Sequence, residues 1–225
     1  MPLSSRLGLI QPKLFYALLQ LYSVMSRVSL PHDAKAGPTK PEVRAVLASK
    51  LALTGSDHFA EVGSCTGAVT ITAARRAGRV TALERKGNRL DVTRKNLAAN
   101  DVDADVELRE AEAPEGLPDD ADALFLGGSR NYEAILDHAV ETGVNRIVMN
   151  VSRLEVAGAA TEAFRERDIL EEVVQFQVSH GYELAGATSF NSENPVYMLV
   201  GSASEDVAAD GGSPAESAAQ DGGDR

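Results

Sequence analysis

From Thr39 onward, short apolar runs alternate with stretches of helical spacing, and several of the runs end at a glycine or an acid. That alternation predicts a mainly parallel sheet flanked by helices, because parallel strands need crossover connections and a helix supplies them. Thr39-Lys40-Pro41-Glu42 reads as a capping box with proline in the first turn. Val43, Val46, Leu47 and Leu51 then recur at helical spacing, with Gly55 as the stop. Strands are predicted over 58–62, 79–83, 106–108, 121–126 and 146–151, with helices over about 68–77, 87–100, 132–141 and 155–167. The segments 170–179 and 195–201 are both strand-like with no helical pattern between them, which predicts an antiparallel last strand. The expected fold class is α/β and Rossmann-like.

The 225 residues suffice for one sizeable domain. The formal net charge of -11 gives a surface that repels phosphate backbones, so no nucleic-acid partner is expected. It also suits a salt-rich, halophilic cytoplasm, where ions screen self-repulsion. Cys65 is the single cysteine, which excludes an intrachain disulfide. His32, His58, His138 and His180 lie far apart in sequence, so no metal site is expected. Leu14 to Val24 is apolar but too short to span a bilayer, and no cleavage site follows it. The expected organisation is an N-terminal extension over 1–30, with Met25 as an alternative start, a folded domain over 31–202, and an acidic disordered tail over 203–225.

Ligands of open α/β sheets sit beyond the carboxyl ends of the strands, so residues just after strands carry the information. The first strand runs into Glu61-Val62-Gly63-Ser64-Cys65-Thr66-Gly67, where glycines permit a tight turn and close ligand approach. Glu61 can accept hydrogen bonds or pair with an ammonium group. Glu84 closes the next strand, roughly twenty residues on, where an acid commonly holds ribose hydroxyls. Glu112 and Ala113 follow the third strand, a place that often lies beside an adenine ring. Read singly, the loop is also explained by tight strand–helix packing, and Glu84 by a solvated loop acid.

The loop departs from the dinucleotide fingerprint, having G-x-x-x-G preceded by an acid. It is similar to the first motif of class I methyltransferases, with Cys65 in place of the middle glycine. A thiol fits there if the local φ is negative, and Cys65 otherwise reads as a small packing residue.

Further stretches match one family. They are Gly37-Pro38-Thr39-Lys40, Ala111-Glu112-Ala113-Pro114-Glu115, Phe125-Leu126-Gly127-Gly128-Ser129, Asn150 with Leu154-Glu155, and Asn194-Pro195-Val196-Tyr197. From about Gly37 to Gly201 the chain resembles the decarboxylating cobalt-precorrin-6B carbon-15 methyltransferases. The resemblance implies S-adenosylmethionine bound by Thr39, Gly63, Ser64, Cys65, Thr66, Gly67, Glu84 and Ala113, with Glu61 and Glu112 beside them. It implies methylation of carbon 15 of a cobalt-precorrin, a tetrapyrrole, with loss of carbon dioxide from the ring C acetate, and a homotetramer. Gly127, Gly128, Ser129 and Asn150 are candidates to orient substrate, with Ser129 and Asn150 as candidates to relay a proton. Lys40, Arg130 and Arg153 are candidate partners for a polycarboxylate, against the alternative of ordinary surface charge. Glu112 stands where aspartate is usual, and His180 and Tyr182 where basic residues are frequent.

Two other readings stand beside this one. A methyltransferase acting on RNA or protein is opposed by the acidic surface. It is also opposed by Leu126-Gly127-Gly128-Ser129, which stands where amine-methylating enzymes carry [DN]-P-P-[YF]. A non-catalytic module that binds S-adenosylmethionine rests on Cys65 alone.

Overall fold

The computed structural model describes residues 27–35 and 37–203. Leu14 to Val24, Met25 and the tail beyond Ala203 lie outside the described residues. In chain order the elements are α1 (Pro41–Leu51), β1 (His58–Val62), α2 (Ala68–Ala74), β2 (Arg79–Leu83), α3 (Gly87–Ala98), β3 (Asp105–Arg109) and β4 (Ala123–Leu126). There follow α4 (Tyr132–Glu141), β5 (Arg146–Val151), α5 (Leu154–Glu166), β6 (Leu170–Phe176), β7 (Ser179–Leu184), β8 (Ala187–Ser192) and β9 (Val196–Gly201).

Seven strands form one sheet in the order β3-β2-β1-β4-β5-β9-β6. Strands β1 to β5 pair in parallel, and β9 runs antiparallel to both β5 and β6. The antiparallel last strand is as the sequence predicts. Val62 stands opposite both Leu83 and Leu126, so β1, β2 and β4 finish level with one another. The chain leaves β1 toward β2 on one side and returns to β4 on the other. This reversal opens a crevice between the loops that follow β1 and β4.

All four residues of β4 are buried, because helices cover both faces of the sheet. Ala123 and Phe125 point to one face, where Val43, Leu47 and Leu51 of α1 pack with Val69 and Ala73 of α2. Leu124 and Leu126 point to the other, against Ile135 and Leu136 of α4 and Phe164 of α5. Phe59, Phe125 and Phe164 are fully buried, each worth roughly 1.5–3 kcal/mol of transfer free energy.

The structure corrects three local expectations. Pro41 takes the first helical position of α1, which leaves Lys40 as N-cap with no side-chain cap hydrogen bond. The proline's fixed φ sets that start, so Thr39 lies one residue too early to close a capping box. The helix ends at Ala52 in a left-handed conformation (φ 42°), before Gly55 is reached. The third is the strand expected over 170–179: β6 ends at Phe176, and Ser179 begins a hairpin, β7–β8, in the stretch read as having no helical pattern. Every β7 residue is exposed, so burial imposes no alternation on its sequence. Its two-residue loop, Ala185-Gly186, has both φ values positive (52° and 79°), as the twist of a tight hairpin demands. Among the described residues, no helix is long and apolar enough to cross a membrane.

Candidate active site

Two adjoining cavities of 180 and 190 Å3 lie at the carboxyl ends of β1, β2 and β4, and both are lined by Gly63, Cys65 and Gly127. The first extends over Leu83, Glu84, Ala111, Glu112, Ala113 and Arg130. The second extends over Thr39, Glu61, Ser64, Thr66 and Phe125.

The loop after β1 owes its shape to backbone bonds that glycines permit. The Gly63 and Ser64 N–H groups both donate to Leu83 O, at 2.8 and 3.1 Å, and the Gly67 N–H closes the turn on Ser64 O at 2.7 Å. Gly63 (φ 87°) and Gly67 (φ 78°) occupy the left-handed region that costs glycine little. A Cβ on Gly67 would meet Thr93 Cγ2 at 3.1 Å, so this glycine also lets α3 approach the loop. Gly127 is equally constrained, since a Cβ there would meet Val62 O at 3.1 Å and Gly63 O at 3.2 Å.

Cys65 departs from expectation. Its φ is 54°, in the left-handed region, whereas a negative φ was the condition for a thiol to fit comfortably. An L-residue there carries a cost of roughly 1–2 kcal/mol. The loop keeps the conformation of a glycine turn because the bonds to Leu83 and Ser64 over-determine it.

Two buried carboxylates sit in the crevice. Glu61 is 1% exposed and accepts a hydrogen bond from the Thr70 hydroxyl. Burial pushes its pKa up to about 7, with the charge of Glu84 adding to the rise and the Thr70 bond opposing it. Glu84 is also buried, and its Oε1 accepts the Lys86 N–H at 3.0 Å. Glu112 is exposed, with Arg130 Nε 3.5 Å from its Oε1. Ala113 is buried, and its carbonyl accepts Asn131 Nδ2 at 3.1 Å.

The remaining sequence candidates are dispersed. Gly128 and Arg130 line the first cavity, while Ser129 and Arg153 are exposed and line neither. Lys40 turns toward the segment before β9, where its Nζ donates to Asn194 O at 2.6 Å and lies 3.0 Å from Glu193. Asn150 lies near the end of β5 with both polar atoms of its carboxamide buried and without a partner. The sequence reading missed Thr93, whose hydroxyl donates to Cys65 O at 3.1 Å and stands 3.0 Å from Ser64 Oγ. It also missed Asn96, on the same helix. The polar pattern of α3 reads as a solvated face, yet both residues are fully buried beneath the loop. The one available signal is the Thr93–Asn96 spacing, which puts them on one helix face with Leu90.

Known proteins resemble this chain over most of its length. A model of the precorrin methyltransferase domain matches residues 31–202. A protein of Halobacterium salinarum named "Probable cobalt-precorrin-6B C(15)-methyltransferase (decarboxylating)" is 81% identical over 186 residues, 83% of this chain and all of the relative. The crystal structure of precorrin-6y C5,15-methyltransferase from Geobacter metallireducens superposes with a TM-score of 0.69 at 35% identity, covering 76% of this chain and 94% of that one. Precorrin 8w decarboxylase from Methanobacterium thermoautotrophicum gives a TM-score of 0.68 at 29% identity, over 73% and 91% of the two chains. With the crevice, its glycine turn and its two buried acids placed as they are, and with these likenesses spanning most of the chain, the protein belongs to the precorrin methyltransferase family.

Proposed function

We propose that this enzyme uses S-adenosylmethionine to methylate carbon 15 of a cobalt-precorrin and releases carbon dioxide from the ring C acetate. The observation that carries the reading is the pair of cavities joined at Gly63, Cys65 and Gly127, with buried Glu84 in one and buried Glu61 in the other. That arrangement fits an elongated ligand with a diol at one end and an ammonium at the other. Glu84 accepts the ribose hydroxyls, and Ala113 with Glu112 flanks the base. Thr39, Glu61, Ser64, Thr66 and Gly67 surround the amino-acid end.

S-adenosylmethionine supplies an electrophilic methyl group on a sulfonium. The residues of this chain align the acceptor carbon with that methyl and exclude water. Asn150 lines neither cavity and its carboxamide is buried without a partner, at a cost of about 1–3 kcal/mol, so a role toward substrate requires the end of β5 to open to it. Lys40 is engaged by Glu193 and Asn194, so of the sequence candidates Arg130, which lines the first cavity beside Glu112, and the exposed Arg153 are offered for substrate carboxylates, with Arg85 and Arg89 also on the first cavity. Self-association is supported by the β7–β8 hairpin, which exposes Tyr182 and Leu184 on one face and Phe190 on the other. The acidic composition and the halophilic relative support a salt-rich cytoplasm as the working medium.

Incubation with the precorrin intermediate and isotopically labelled S-adenosylmethionine, followed by mass spectrometry, tests the reading. A product with one methyl gained and one carbon dioxide lost supports it. Methyl transfer to bulk RNA, with none to the macrocycle, contradicts it.

A pH dependence follows from Glu61. Its pKa is higher in the folded protein than the ordinary 4.5, so the folded state binds the extra proton between pH 4.5 and about 7. Stability of the ligand-free enzyme therefore falls as pH rises through that window and levels off above it, by about 3 kcal/mol from this group. Glu61→Gln is expected to flatten that dependence in urea melts between pH 5 and pH 8. Parallel pH profiles for the variant and the wild type would show that Glu61 is not the group responsible.

A further inference from the structure

Ahead of α1, the strap of residues 27–35 and 37–40 crosses α3 and ends at Gly37, Pro38 and Thr39, which form one wall of the second cavity. Two asparagines one turn apart on α3 and its C-terminal flank hold this strap. Asn100 accepts the Ser29 N–H at 3.0 Å and donates to Ser29 O at 2.8 Å. Asn96 accepts the His32 N–H at 2.9 Å and donates to His32 O at 2.8 Å. Each carboxamide thus imitates a strand partner for one residue of the strap. Asn96 makes a further bond: its Nδ2 also donates to Thr66 O at 2.8 Å. Thr66 belongs to the glycine loop, the opposite wall of the same cavity. Asn96 thus ties the strap at His32 to the glycine loop at Thr66.

We propose that Asn96 is a positioning residue of the cofactor site, its single carboxamide fixing the strap and the glycine loop at the separation that S-adenosylmethionine requires. The proposal rests on the cavity being the S-adenosylmethionine site. Asn96 touches neither cofactor nor substrate in this scheme and acts through Thr66 and the strap. Its carboxamide suits that role, since both N–H groups and the oxygen are used and the side chain is fully buried, so water cannot substitute for a lost partner.

The test is calorimetric titration of S-adenosylmethionine into the full-length wild type and four variants, below the melting temperature of each. Asn96→Ala is expected to raise Kd about tenfold, as loss of a buried polar tie implies. Asn96→Asp raises it further, because a carboxylate then faces the carbonyls of Thr66 and His32. His32→Pro removes the N–H that meets Asn96 at an exposed position and is expected to raise Kd a few-fold, its fold being checked by circular dichroism because proline also fixes the local φ. Asn100→Ala, which frees the strap a turn away from the loop, leaves Kd within about twofold. In turnover assays Asn96→Ala raises KM for S-adenosylmethionine while kcat at saturation stays within about threefold, the signature of a cavity that binds ground and transition states alike. A lower melting temperature for Asn96→Ala and His32→Pro with Kd unchanged in both would reduce Asn96 to a packing role and overturn the proposal. No binding by the wild type itself would remove the cofactor site, and the proposal with it.

Discussion

Replacing Gly63 by arginine is expected to weaken S-adenosylmethionine binding by at least about 100-fold while the enzyme keeps its secondary structure. Gly63 is one of three residues shared by both cavities, and its φ of 87° aims a Cβ toward the carbonyl carbon of Gly127, 3.8 Å away. An arginine side chain begins at the junction of the two cavities, and it is long enough to fill it. The backbone bond from Gly63 N–H to Leu83 O does not depend on the side chain, so the sheet edge persists. The left-handed conformation adds roughly 1 kcal/mol of strain, which a folded domain tolerates. Calorimetry with circular dichroism checks both halves of the expectation. Unchanged affinity in a folded variant would mean that the ligand does not cross the glycine loop.

The second large effect is expected at Glu84. Two ribose hydroxyls donating to a buried carboxylate make charge-assisted hydrogen bonds, each worth about 1.5–3 kcal/mol. Glu84→Ala should therefore raise KM for S-adenosylmethionine by about 100-fold or more, with kcat at saturation changed far less. The ribose lies away from the transferring methyl, so its contacts bind ground and transition states alike. Removing the charge has a second consequence. Glu84 contributes to holding the Glu61 pKa up near 7, so the variant should shift the pH window for stability downward. A fall in kcat with KM intact would place Glu84 nearer the chemistry than the ribose.

The sheet was legible because burial dictates composition. β1, β2, β4 and β5 are nearly continuous buried runs, and only helices connect parallel strands, so pattern and topology carry the same information. The crevice taken as the candidate site was legible for the same reason: beyond those strand ends, Gly63, Gly67 and Gly127 meet backbone conformations or approaches that exclude most side chains. The hairpin escaped because its exposed strands face no core and are free of periodic constraint. Thr93 and Asn96 escaped because a buried polar residue that satisfies backbone groups looks, in sequence, like a solvated one. Cys65 was read as a substitution that a negative φ would accommodate. The turn's backbone bonds instead hold the cysteine in a conformation it does not favour.

The central claim is that an adenosyl group lies across the ends of β1 and β2, with its sugar on Glu84. A crystal structure of the enzyme soaked with S-adenosylhomocysteine tests it most directly. The account predicts ribose hydroxyls within hydrogen-bond distance of the Glu84 carboxylate and the sulfur near Gly63 and Gly127. Ligand density elsewhere, or a Glu84 carboxylate turned away from the sugar, would contradict it.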